Sequence, residues 1–499
     1  MLRVLLSLLV SLLLPPFLVH RMSPPEYSAW VLILQLSAYV YLLDFGLQTA
    51  IGKFVAQYDA IADRVTSTRV LSTSFTLLSM AAVISAAIIG ILTWRVPQLF
   101  HQMPGALVRS VREGLLAVGL TAAFSLPFGV FMAAFTGLQK YSVPAILSTL
   151  NRILSAVALV GLLLMHGSLV QLALVMAAFN VITALMQFLG WRVYARERVD
   201  FSFLYFDQKT ALQLLKYGGV LSLWTLAGLL ISGLDVLIVG HYDYKNTGFY
   251  AVASSVTNFM LLVVGSIFGP VLPAVSSIQA GSDSTPSRIG DLVFKVTRYC
   301  TLAVCLLGFP ILIGAYPLLS LWVGHNYAVR SAQYLEILVL GNVVRQLTYP
   351  YALVVVATGK QHLATIAAIS EAIVNVVVSV LLVKRMGAVG VAIGTFIGAL
   401  VSVGMHVAIS MHFTQSTIRI RRSRFVLDAL LRPLLSLAPS LLLYPFWRRY
   451  NMLPANPALL ATWVILTSAI AWRIGLTPEE RQSLSGTLSR LIYWGAEET

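Results

Sequence analysis

A chain of 499 residues with 58% hydrophobic and only 11% charged side chains cannot cover a water-soluble surface, since soluble domains carry about a quarter of their residues as Asp, Glu, Lys and Arg. The formal net charge of +15 would suggest a nucleic-acid partner in a soluble protein, but the basic residues sit in short loops between apolar runs, so nucleic acid is excluded and lipid is the solvent. Cys300 and Cys305, five apart in one apolar run, exclude a disulfide framework and a cysteine metal site.

A helix needs roughly 20 apolar residues to cross the hydrocarbon. Runs of that length predict an all-α polytopic membrane protein with spans at residues 2–19, 28–51, 71–93, 114–135, 144–165 and 168–189, then at 218–240, 249–271, 299–322, 334–356, 362–383, 389–411, 427–447 and 459–474, fourteen in all. The first is read as a helix rather than a cleaved signal peptide, because no small-residue cleavage site precedes the second. No loop exceeds roughly 30 residues, which leaves no room for a soluble catalytic or nucleotide-binding domain. Neither a P-loop nor a dinucleotide glycine pattern is present, so coupling to ATP within the chain is not expected.

Lysine and arginine favour the cytoplasmic side of short loops. An inside N-terminus places 21 of the 34 on that side, counting Arg3 and Arg473 at the cytoplasmic ends of the first and last spans, 10 outside, and Arg152, Arg345 and Arg432 within spans, which predicts that both termini are cytoplasmic. The basic segment from Arg192 to Lys216 and the cluster Arg419, Arg421, Arg422 and Arg424 contribute most, and both read as anchors at the lipid headgroups. Trp30, Trp94, Trp191 and Trp447 fall at span ends as interface anchors.

Short matches recur at a nearly constant offset. Tyr27 matches Tyr250, Phe45-Gly46 matches Phe268-Gly269, and Leu126-Pro127-Phe128 matches Tyr349-Pro350-Tyr351; Thr136-Gly137 matches Thr358-Gly359, and Met165-His166-Gly167 resembles Arg385-Met386-Gly387. Any one of these could be a helix kink, but five in order point to a repeat. The offset spans six helices, an even number, so the copies enter the membrane in the same sense and relate by an axis along its normal, with a substrate path between them. The expected organisation is an N-terminal six-helix lobe over 1–190, a basic linker over 191–216 and a second lobe over 217–412. Residues 413–499 hold a basic linker, two extra helices and a tail.

Several of these segments resemble a known family. A first span containing Pro15, the loop Glu26-Tyr27-Ser28-Ala29-Trp30, and Leu42-Leu43-Asp44-Phe45-Gly46-Leu47 followed by Ala50 and Lys53 resemble the N-terminal pattern of polysaccharide flippases. Phe135-Thr136-Gly137-Leu138-Gln139-Lys140-Tyr141 looks like their loop after span four, and Asp235 to Gly240 with Gly248 to Val252 looks like their span seven to eight hairpin. These are the Wzx-type members of the multidrug, oligosaccharidyl-lipid and polysaccharide exporter superfamily, and the resemblance covers spans one to twelve. It implies two six-helix lobes in the bacterial inner membrane and movement of a polyprenyl-diphosphate-linked oligosaccharide from the cytoplasmic to the periplasmic leaflet through a cationic cavity. It further implies membrane lipids and a polysaccharide polymerase complex as partners. One departure is that fourteen residues precede Pro15, fewer than members of the family usually carry.

Ionisable groups inside spans are costly and mark candidate sites. Arg345, with Asn342 and Gln346 beside it, is expected to face a solvated cavity and grip a diphosphate oxygen in a bidentate fork; an internal ion pair is the alternative. Arg152 follows Asn151, and its repeat counterpart falls beside Glu371 and Asn375, so an acid and a base stand at equivalent places in the two copies. Arg345, Arg152, Asn342, Gln346 and Asn151 form the expected substrate-binding set. Asp44, Asp235 and Glu371 are candidates for coupling or gating by a proton or sodium ion, with no other cofactor expected. Asp44 equally suits a structural turn with Gln48, and Asp235 an interfacial cap near His241. His20, His166, His362, His406 and His412 form no metal-ligand cluster. Competing classes are a small-molecule ion-coupled antiporter of the same superfamily and a membrane glycosyltransferase or acyltransferase. The last would need paired acids in a long outward loop that the sequence lacks.

Overall fold

A computed structural model of the protein describes residues 2–202, 205–280, 285–435, 465–476 and 478–482. Among these residues there is no strand, and nine helices are long and apolar enough to cross a membrane, or ten if a bent pair counts as one span. The first and seventh expected spans are represented by shorter apolar helices, Val10–Arg21 and Leu226–Tyr242. Most of the expected spans at 427–447 and 459–474 lies outside the described residues.

In chain order the helices are α1 (Leu2–Arg21), α2 (Pro24–Ala38), α3 (Leu47–Ala60), α4 (Arg64–Leu99), α5 (Gly105–Ser125), α6 (Gly129–Gly137), α7 (Ser142–Leu164), α8 (Leu169–Tyr194) and α9 (Gln208–Ser232). They continue with α10 (Leu234–Tyr242), α11 (Thr247–Phe268), α12 (Val271–Ala280), α13 (Pro286–Ile313), α14 (Ala315–Val323), α15 (His325–Gln346), α16 (Tyr349–Ala357), α17 (Gln361–Met386) and α18 (Ala388–Met405). From α2 onward the order recurs: α2 and α3 with α11 and α12, the long α4 with α13 and the short α14 together, α5 and α6 with α15 and α16, α7 with α17, and α8 with α18.

Apart from Tyr27 and Tyr250, which lie inside α2 and α11, the repeated sequence motifs turn out to be the breaks between these helices. Residues 24–60 do not form one regular span: a 3₁₀ turn over Tyr39–Asp44 leads into Phe45 and Gly46, both left-handed at φ 47° and 65°, before α3 begins. Glycine is required at 46 because a Cβ there would sit 2.6 Å from the carbonyl oxygen of Gly218 on α9. Phe268-Gly269-Pro270 makes the matching break between α11 and α12, and Pro127 and Pro350 stand at the α5–α6 and α15–α16 junctions. Proline lacks the amide donor that an unbroken helix uses. His166 (φ 57°) and Gly387 (φ 60°) form the matched turns after α7 and α17.

Several helices outrun their apolar runs. The 36 residues of α4 span about 54 Å at 1.5 Å each, well beyond a hydrocarbon core of about 30 Å, so its polar first turn must stand in the interface. Asp63 starts this helix by accepting from the Thr66 amide (3.0 Å) and hydroxyl (2.6 Å), and Asp207 starts α9 in the same way through Thr210 (2.8 and 2.5 Å).

The described residues group into two compact units, Met1–Ser255 with Val380–Val391, and Val256–Ser379 with Ala392–Thr499. These boundaries differ from those of the sequence repeat because the segment after α10 ties into the first unit. Tyr244 Oη donates to the Pro25 carbonyl (2.8 Å), the Gly248 amide donates to Ser28 Oγ (2.9 Å), and Asp243 Oδ2 accepts from the Ala388 amide (3.0 Å). The first unit has an aromatic core in which Phe131 lies 5.0 Å from Trp191 and 5.4 Å from Phe201, centroid to centroid. The second is built around buried Tyr351 and Phe425, 6.2 Å apart, with the Tyr351 hydroxyl 2.9 Å from that of Thr414. Large apolar side chains such as Val83, Ile91, Ile146 and Val157 remain exposed, as lipid-facing surfaces require.

Candidate functional site

Charged groups within the membrane helices

In the second unit, Arg345 on α15 is an ion-paired cation. Its Nε lies 2.5 Å from Oε1 of Glu371 on α17, and its Nη1 donates to Asn342 Oδ1 at 2.6 Å. Asn342 is held in turn by its own donation to the Leu338 carbonyl (2.8 Å). The pair is deep, with side chains 18% and 3% exposed, and the remaining arginine nitrogen, Nη2, is buried without a hydrogen-bond partner among the described residues. Gln346 is buried next to it, with its side-chain oxygen unpartnered. The sequence left substrate contact and ion pair both open; the structure supplies the acid from a helix 26 residues away and leaves one donor unused. Glu371 also begins a buried polar row on α17, since Asn375 and Ser379 follow at helical spacing and Ser379 Oγ donates to Asn375 Oδ1 at 3.0 Å. Gly398 on α18 permits the approach, because a Cβ there would meet the Asn375 side chain at 3.1 Å. Ser379 is a member of this row that sequence reasoning did not single out; its spacing of four from Asn375 was the available signal.

Arg152 is different. It lies near the middle of the 23-residue α7 and its Nη2 donates to Ser11 Oγ on α1 at 2.6 Å, while no carboxylate among the described residues pairs with it. The neighbouring Asn151 Oδ1 is buried and unpartnered. Within its own unit Arg152 has a neutral hydroxyl for a partner, and within the other Glu371 holds Arg345.

Asp44 closes the 3₁₀ turn, with its carboxylate toward the first turn of α3 at Gln48 and Oδ1 buried without a partner. Gln48 is thus across a helix break from Asp44 rather than on one continuous face, and a carboxylate just before a helix start is favoured by the unpaired amides there. Asp235 is buried in the first turn of α10, where it accepts from the Tyr250 hydroxyl on α11 at 3.1 Å. His241 turns elsewhere: its Nδ1 contacts the Leu99 carbonyl and its ring stands 5.5 Å from that of His101. Arg432 Nε donates to the Ile474 carbonyl at 3.1 Å. Among the described residues no three His, Cys, Asp or Glu side chains gather as a metal site.

The profile of the family described as "Polysaccharide biosynthesis protein" matches residues 21–332. The chain belongs to the polysaccharide biosynthesis protein family. This family member is 20% identical over 379 residues to a Shigella flexneri protein named provisionally as an O-antigen transporter, covering 76% of its own length and 88% of the relative's. It shares a fold with the lipid II flippase MurJ in an inward closed conformation, at a TM-score of 0.67 and 15% identity over 95% of this chain and 97% of that one. It also shares a fold with an inward-facing MATE family transporter of the MOP superfamily, at 0.66 and 15% identity over 82% and 96%. The matched family segment contains Asp44, Arg152 and Asp235 and ends before Arg345 and Glu371, so the ion pair of the second unit lies outside it.

Proposed function

We propose that this multi-pass membrane protein is a flippase, moving a polyprenyl-diphosphate-linked oligosaccharide repeat unit from the cytoplasmic to the periplasmic leaflet of the bacterial inner membrane by alternating access. Family membership supports a place in polysaccharide synthesis, and the fold supports transport rather than catalysis. The observation that carries the substrate class is Arg152. A cation midway along a membrane helix costs at least ~2.5 kcal/mol, and a serine hydroxyl cannot neutralise it. An anionic ligand such as a diphosphate can. Arg345, by contrast, is already neutralised by Glu371 and becomes available to phosphate only if that pair opens.

Reconstitution tests this reading. In proteoliposomes carrying a fluorescent lipid-linked saccharide in both leaflets, the protein should make the inner half accessible to an external quencher. Arg152→Ala should slow this about tenfold, the cost of one lost charge-assisted hydrogen bond, while Arg152→Lys keeps part of the rate. Full flipping by correctly inserted Arg152→Ala would remove the arginine from the substrate path. A second reading, a small-molecule ion-coupled antiporter, is favoured by the fold shared with MATE transporters and by the buried Asp235–Tyr250 contact. It predicts instead exchange of small cations across the vesicle membrane with no movement of the lipid-linked saccharide.

A further inference from the structure

The first unit contains a recess of about 480 Å³ that neither the charged groups above nor the repeat explains. Its walls come from five places in the sequence: α3, α6, the turn that follows α6, the first turn of α7 at Pro144, and α9. Glycines make it possible. A Cβ on Gly137 would meet the Gly52 carbonyl at 2.7 Å, so α3 and α6 approach backbone to backbone, and Gln139, left-handed at φ 58°, turns the chain away to expose Tyr141 beside them.

Three kinds of group face this space. Lys53 is exposed on α3, with its Nζ 3.8 Å from the centroid of the Tyr217 ring, and no carboxylate among the described residues pairs with it. The acid one and a half turns further on, Asp59, is engaged by Arg198 at 3.3 Å. Gln48, Gln139 and Thr136 add amide and hydroxyl groups. The rings of Tyr141 and Tyr217 add flat apolar surface, and the Tyr217 ring is braced edge-on against Phe54 at 5.9 Å.

A compact ammonium suits a phosphate as a point charge. Amides and hydroxyls suit the hydroxyls of a sugar, and tyrosine faces suit its C–H faces. The volume lies within the usual range for small-molecule sites, about 300–1,000 Å³. We propose that this recess binds a saccharide phosphate, as the docking place of the substrate's headgroup before translocation, with Lys53 on the phosphate and Tyr217 holding both the lysine and the sugar. The assignment as a docking place rests on the flippase reading. The binding chemistry does not, and a free sugar phosphate and a lipid-linked one present the same groups.

The test is ligand protection of a cysteine in the wall. Full-length Ala56→Cys protein in lipid nanodiscs, in which the native Cys300 and Cys305 are buried, is labelled with a water-soluble maleimide. The probes are glucose 1-phosphate, a polyprenyl-diphosphate-linked saccharide, and maltose as the neutral control. The two phosphates should slow labelling and maltose should not. Lys53→Met and Tyr217→Ala should each raise the half-protecting concentration about tenfold, and Lys53→Arg and Tyr217→Phe far less, all in variants that remain monodisperse. Stronger protection by the lipid-linked probe identifies the lipid headgroup as the natural ligand, and equal protection identifies a soluble sugar phosphate; either supports the site. Equal protection by maltose, an unchanged response in Lys53→Met, or no protection by any probe overturns it. If protection holds but the protein flips nothing in proteoliposomes, the flippase reading fails and the site stands; if flipping holds without protection, the reverse is true.

Discussion

At the scale of single residues, Arg345 and Glu371 show how a membrane protein makes an internal cation tolerable. Removing one partner of a buried pair strands the other charge, which typically costs about 3–5 kcal/mol, whereas replacing both by apolar groups is often neutral. Glu371→Ala is therefore expected to lower thermal stability strongly and Arg345→Met/Glu371→Leu to restore most of it, as read by thermal unfolding in detergent. Transport by the double variant should nevertheless stay about tenfold down, because the free Nη2 donor that could meet a phosphate is gone. Recovery of both stability and transport would make the pair structural only. Backbone strain gives a second residue-scale expectation. An alanine at position 46 would have to hold φ near 65° at about 1–2 kcal/mol and also displace the Gly218 carbonyl, so Gly46→Ala should cut the yield of folded protein where Gly90→Ala, with open space around its Cβ, does not. Size-exclusion profiles of the two variants decide this.

At the scale of elements, the long helices are held at their polar ends by caps that titrate. Hydrogen bonds from the Thr66 side chain and amide hold the Asp63 carboxyl below the ordinary aspartate value, and Thr210 does the same for Asp207. A carboxylate whose folded value is depressed stabilises the fold above its unfolded value, and that contribution is lost as pH falls through the folded one. The first turns of α4 and α9 should therefore keep full protection at neutral pH and lose it progressively below about pH 4. Amide exchange at residues 64–67 and 208–211, corrected for intrinsic rates, measures this. Asp63→Asn and Asp207→Asn should remove the pH dependence at their own helix and leave the other unchanged. Persistence of the acid loss in both variants would place its cause elsewhere.

At the scale of the whole molecule, the distribution of basic residues makes a claim about direction. With both termini cytoplasmic, cysteines replacing Lys245 and Arg330 should react with an impermeant maleimide from the periplasm of intact cells, and one replacing Arg421 should react only after lysis. The opposite pattern would invert the orientation. The recurring order of helices predicts in addition that each half, starting at Pro24 and at Thr247, carries its span breaks at matching places. Helix-specific exchange measurements should find weak amide protection just past each break, at residues 46–47 and 271–272.

Sequence alone determined the solvent, the helical class and the places where helices must stop. Those properties reside in composition and in local backbone chemistry: apolar runs of membrane length, prolines without an amide donor, and glycines that accept left-handed conformations. Four of the five motif matches located breaks that hydropathy smooths over; by hydropathy residues 28–51 read as one span although α2 and α3 are separate. Sequence also picked out Arg345, Arg152, Glu371, Asp44 and Asp235 as costly charges. Their partners were beyond its reach. An ionic or hydrogen-bonded contact depends on the angle each side chain takes around its helix and on which helices are neighbours, and neither is encoded within a short window. Glu371 is 26 residues from Arg345, Ser11 is 141 from Arg152, and Tyr217 reaches Lys53 only because α9 crosses α3 where Gly46 and Gly218 let the backbones touch. Packing alone decided which cation is neutralised within the chain and which has only a serine.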